Sequence, residues 1–169
     1  MLNVAAASVT DQFLQIDTAR RMLHARPLNR VSFDTAIELF RELDAAQLEQ
    51  LVPYFDVLSE SVADEATYCI VKVRRVRTVL DVIKARDQAT NYDAAADATI
   101  PVLETTLQAY GKFRTAVAGH FGGPAPEDLG EEAQRRAIAY RRAADQRFIA
   151  ETFTGPGDDT GSDASRRTL

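Results

Sequence analysis

The sequence predicts an all-α protein: a single-domain bundle of five to six helices over residues 1–153, followed by a disordered tail at 154–169. Three observations carry that expectation. Apolar residues recur at three- and four-residue steps over long stretches, the spacing that lines one face of a helix. Only eight Gly and six Pro punctuate 169 residues, and several of these fall near the C-terminus, so the runs between them are long. The terminal segment TGPGDDTGSDASRRTL has no apolar periodicity and too few apolar side chains to offset the entropy of ordering.

Taken in order, residues 9–26 read as an amphipathic helix with Val9, Phe13, Ile16 and Leu23 on one face and Thr10 as its cap. Pro27 ends it, because the residue before a proline resists the helical conformation. Arg20, Arg21, His24 and Arg26 gather near that end, where cations complement the helix dipole, and read as a solvated last turn. Ser32 opens the next helix, with Phe33, Ala36, Ile37, Phe40 and Leu43 inward and Val31 with Ala36 as a hydrophobic staple. Asp44 and Gln47 have the spacing of a capping box, with Leu43 and Leu48 as its staple, so a new helix starts near residue 45 after a bend. Pro53 interrupts that helix and predicts a kink or a restart near residue 53.

Residues 64–90 form the most apolar long segment. At 100° per residue, Tyr68, Cys69, Val71, Val73, Val76, Val79, Leu80, Val82 and Ile83 fall on one broad arc; Arg74, Arg77, Asp81 and Lys84 lie opposite and Ile70 misses the arc. The reading is a long, largely buried helix with Asp64 and Glu65 at its N-terminus. Lys72, near the centre of the arc, must extend its head to water or meet an acid from residues 34–60.

Asn91, Tyr92 and Asp93 suit a turn. Residues 98–121 then carry a seam of Ile100, Leu103, Leu107, Tyr110, Arg114, Val117 and Phe121, capped by Asp97 or Thr99, with Pro101 in the first turn and Gly111 admitting the close approach of another helix. The run Gly122 to Pro126 breaks the chain. A last helix spans 127–153, its narrow inner face made of Leu129, Ala133, Ala137, Tyr140 and Ala144, with Glu131–Arg135 and Glu132–Arg136 spaced to pair. So small a face either packs very closely or docks weakly.

Charge is segregated. Residues 32–65 hold nine acidic residues against one arginine, and residues 66–90 hold six basic residues against two acidic ones, within a net charge of −5. The two segments suit one another intramolecularly, or each meets a different partner. No run approaches the roughly 18 apolar residues of a membrane span, and the N-terminus lacks a signal-peptide pattern, so the expectation is a cytoplasmic protein without a membrane partner. The lone Cys69 cannot form an internal disulfide and reads as a core thiol.

Motifs for chemistry are few. Two histidines, with no HExxH, CxxC or Glu-x-x-His spacing, predict no metal site, and the absence of phosphate-loop and nucleophile-elbow patterns predicts no cofactor. Arg114 and His120, six positions apart near the end of a helix, form a spacing that resembles the Arg-and-His signature of the HEPN ribonucleases, which are also helical. That resemblance covers two residues and implies RNA cleavage at a dimer interface, with Arg114 on phosphate and His120 assisting proton transfer. Basic residues on helix faces, Arg74, Arg77, Arg135, Arg136, Arg141 and Arg142, are the candidate partner-binding positions. The leading reading is a non-enzymatic protein-interaction or regulatory module, homo-oligomeric in one form. The second is a nucleic-acid-binding regulator using the basic faces, although such domains usually carry a strong positive balance. The ribonuclease reading requires Arg114 and His120 to share a cleft, and the nucleic-acid reading requires the basic faces to merge.

Overall fold

The computed structural model describes residues 1–41, 43–85 and 91–153; the side chains of Ile83, Lys84 and Ala85, the helix expected through 86–90 and the tail at 154–169 lie outside the described residues. Every regular element among the described residues is helical: α1 (Leu2–His24), α2 (Arg30–Arg41), α3 (Ala46–Glu49), a 3-10 segment (Val52–Val57), α4 (Glu60–Ala85), α5 (Tyr92–His120) and α6 (Gly130–Phe153). The expected all-α single-domain bundle is therefore the fold.

Helix α1 runs through the middle, touching α5, α6, α2 and α3, while α4 packs chiefly on α5. It starts seven residues before the expected Val9, because Leu2 and Ala5 extend the buried face upstream. Thr10 is interior and not a cap: its hydroxyl donates to the Ala6 carbonyl at 2.8 Å. The basic residues near the end of α1 are not simply solvated. Arg20 and Arg21 both bind the buried Asp17, and Arg26 reaches α5 to pair with Asp93 and Asp97.

The cap of α2 is Asn29, one position before the helix, whose Oδ1 accepts from the Ser32 amide at 2.8 Å and the Ser32 hydroxyl at 3.0 Å. Helix α3 starts at the expected place, but the expected capping box of Asp44 and Gln47 is not formed: Ala45 is the cap position, Asp44 Oδ1 accepts from the Ala46 amide at 2.9 Å, and Gln47 makes no reciprocal side-chain bond among the described residues. Pro53 falls in the first turn of the 3-10 segment, which is the expected restart.

Helix α5 begins at Tyr92, capped by Asn91, whose Oδ1 accepts from the Ala94 amide at 3.0 Å; Asp97 and Thr99 are interior. Pro101 consequently sits well inside the helix, ring outward, and not in its first turn. Such a proline costs about 3 kcal/mol, which the buried face of Ile100, Leu103, Ala109, Tyr110, Phe113 and Val117 offsets. The buried Tyr110 hydroxyl donates to Gln12 Oε1 on α1 at 2.8 Å. Phe121, expected on the seam, is exposed, and no atom lies within 4 Å of where a Gly111 side chain would start, so Gly111 serves no close approach.

Helix α6 buries Ala133, Ala137 and Ala144 and leaves Tyr140 exposed. Polar clasps supplement this thin apolar contact. Arg21 Nη1 donates to Gln134 Oε1 at 2.9 Å, and Asp145 Oδ1 accepts from Asn29 Nδ2 at 3.0 Å and shares the single Ser32 hydroxyl proton, at 3.1 Å, with Asn29 Oδ1. Arg141 bonds the carbonyls of Ala25 and Pro27 beside the cis Arg26–Pro27 peptide. Among the described residues, no buried side-chain nitrogen or oxygen lacks a hydrogen-bond partner.

Candidate interaction surface

Helix α4 carries the surface least explained by the fold. Its inward face is Val62, Ala66, Cys69, Ile70, Val73, Val76 and Leu80, all buried. Tyr68, Val71 and Val82, expected in the core, are instead 43%, 54% and 47% exposed, and Ile70, expected to miss it, is inside. The arc read from the sequence spans about 200°, wider than one packing face, and the helix turns only part of it inward. The remainder forms its own stripe, Ser61, Asp64, Tyr68, Val71, Arg75, Thr78 and Val82, spaced alternately by three and four on the side opposite the core.

Local contacts fix this face without burying it. Lys72 needs no acid: its Nζ lies 4.6 Å from the Tyr68 ring centroid, a cation resting on an aromatic face. Asp64 and Arg75 are both exposed and have no hydrogen bond or ion pair among the described residues. Burial, reinforced by the Glu65 charge, pushes the Cys69 thiol up to about 12, so the α4 cysteine is an unreactive core group at neutral pH.

Beside the stripe, the start of α4 and the end of α5 leave an open groove of about 920 Å³, lined by Ser59, Glu65, Gly111, Lys112, Gly119 and His120 among others. His120 stands at its edge, with its ring 5.1 Å from that of Phe121. Arg114 faces elsewhere. Its guanidinium lies 5.1 Å from the Phe13 ring of α1 and donates to the Glu127 carbonyl at 2.9 Å. Burial lowers its pKa, opposed by the Glu127 and Asp128 carboxylates. Six helical steps turn a side chain by about 120° relative to the first, and Arg114 is not among the residues that line the groove bordered by His120.

The candidate basic residues divide. Arg74 pairs with Glu49 at 3.0 Å, and Arg77 donates to the Leu43 carbonyl at 3.2 Å, so the acidic segment upstream takes up both. Arg135 and Arg136 both bind Glu132, at 2.8 and 2.7 Å, in place of the expected Glu131–Arg135 pair. Arg141 is turned inward, bonding the carbonyls of Ala25 and Pro27 and the carboxylate of Asp145. Arg142 is exposed with no polar contact among the described residues. Since α4 packs on α5 and α6 on α1 and α2, the two basic groups do not merge into one face.

Among the described residues, no group of three His, Cys, Asp or Glu side chains is placed to hold a metal ion, and no helix is long and apolar enough to cross a membrane. Comparison of the chain with protein-family models, curated proteins and solved structures gives no match.

Proposed function

We propose that the protein is a helical protein-interaction module of regulatory type, and that the outward stripe of α4 is its docking face. One observation supports this above the others: Tyr68, Val71 and Val82 are half-exposed on a helix whose opposite face already fills the core. The fold gains nothing from keeping a tyrosine and two valines in water, whereas a partner helix laid along them gains about 25 cal/mol for each Å² of apolar surface covered. The three-four spacing suits a helical partner, which seats side chains into the gaps between stripe residues. The α4 and α6 arginines that the nucleic-acid reading needs are largely committed to Glu49, Glu132 and backbone carbonyls, so the observations favour a protein partner.

A photo-reactive side chain placed at Val71, and in a control at Glu131 on α6, tests the reading inside cells. The expected result is a defined cross-linked species from Val71 and none from Glu131. Cross-linking from Glu131 alone, or from neither position, contradicts a docking role for α4.

A further inference from the structure

We infer that the occupant of the α4 stripe is a second copy of this chain, docked antiparallel about a two-fold axis between Ile70 and Cys69, so that Asp64 of each copy meets Arg75 of the other. The inference rests on α4 being the docking face and adds the partner's identity, direction and register.

Along α4 the stripe reads Ser61, Asp64, Tyr68, Val71, Arg75, Thr78 and Val82, a continuous alternation of three and four residues extending about 33 Å. A parallel pair would set Asp64 against Asp64 and Arg75 against Arg75, two like-charge layers in one seam. An antiparallel pair avoids both. With the axis between residues 69 and 70, Tyr68 lies against the partner's Val71, Asp64 against the partner's Arg75, and Ser61 against the partner's Thr78, each layer occurring twice by symmetry. On the flank of the same seam, Glu65 falls beside the partner's Lys72. Sliding the register by one heptad sets Asp64 against Tyr68 or Val82, and Arg75 against Val71 or the 3-10 segment, so the ionic layers are lost and charges face apolar side chains.

A second observation agrees. Most of the other arginines on the helices have an acidic or carbonyl partner within the chain, but Arg75 and Asp64 have none among the described residues. Both stand on the one stripe whose self-pairing would satisfy them. Four of the seven seam positions, Ser61, Asp64, Arg75 and Thr78, are polar; polar residues in a helix seam lower affinity and fix register, which suits an association that is reversible.

Sedimentation equilibrium of the full chain, from micromolar to millimolar concentration, tests this through charge reversal. The wild type is expected to dimerise reversibly. Asp64→Arg and Arg75→Asp, each on its own, turn two attractive layers into two repulsive ones and should weaken dimerisation about tenfold or more. The doubly substituted chain should regain most of the affinity, and mixing the two single variants should give a heterodimer tighter than either homodimer. Circular dichroism of these exposed-site variants checks that the helices persist. A wild type that stays monomeric throughout, a dimer indifferent to both single substitutions, or a double variant that stays dissociated overturns the inference. A monomeric wild type whose Val71 cross-links to a different protein would overturn the second copy while leaving α4 as the docking face.

Discussion

Arg20 Nη2 donates to the carboxylate of Asp17 at 2.7 Å within α1, and Arg21 Nε binds the other oxygen of the same buried group at 2.9 Å. Arg21 continues to Gln134 of α6, and Arg20 lies 3.8 Å from Glu104 of α5, so one carboxylate anchors contacts to two neighbouring helices. Replacing Asp17 by Asn leaves two guanidinium groups around a neutral amide. With the arginines partly solvated, we expect a loss of about 2 kcal/mol, read as a lower urea midpoint with an unchanged slope.

Arg141 and its neighbour Arg142 should behave very differently. Arg141→Ala strips hydrogen bonds from the carbonyls of Ala25 and Pro27 and from Asp145. The expected cost is about 1–3 kcal/mol. Arg142→Ala removes an exposed side chain and should change stability by less than about 0.5 kcal/mol. Thermal melts of the two variants side by side check this.

Acid should expose the Arg26–Asp93 link. The hydrogen bond from Arg26, with that from the Leu28 amide and the nearby Arg26 and Arg141 charges, holds the Asp93 carboxyl below the ordinary carboxylate range. A carboxyl whose folded pKa is depressed contributes stability that is complete above its unfolded value and is lost as pH falls through the folded one. The stability difference between wild type and Asp93→Asn should therefore be full at neutral pH and shrink below about pH 4. Urea titrations across that range measure it.

At the alkaline side, the relevant group is Cys69. Its folded pKa is raised, to about 12, by burial first and Glu65 second. The stability linked to the neutral thiol is complete below its unfolded value of roughly 8.5 and is lost as pH rises from there towards the folded value. Iodoacetamide at mildly alkaline pH should leave the native protein unlabelled and label it rapidly in urea. Fast labelling of the native protein would contradict the buried placement.

Much of this architecture is readable from residue spacing. The bend at Asp44, the restart at Pro53, the break after His120 and the alanine face of α6 all follow from local chemistry that no distant contact overrides. Helix starts are harder to place. Leu2 and Ala5 are too small and sparse a signal to extend α1 upstream, and the turn-forming character of Asn91 describes a cap as well as it describes a loop. The candidate surface was hidden for a different reason. Apolar residues at helical spacing read as core whichever way they face, so Tyr68, Val71 and Val82 group with the buried Cys69 and Val73 on spacing alone. The available signal was the width of the arc, since two interleaved three-four series on one helix imply two faces. Which arginines remain available depends on contacts from distant segments, such as Arg141 reaching the carbonyl of Pro27, and residue spacing carries no trace of them.

Docking through α4 is tested most directly by the association of the full chain carrying Val71→Asp, measured by sedimentation equilibrium beside the wild type. The wild type is expected to self-associate reversibly and the variant to stay monomeric with its helical content intact, because Val71 lies on the docking face and outside the core. Equal masses for the two proteins at every concentration would contradict it.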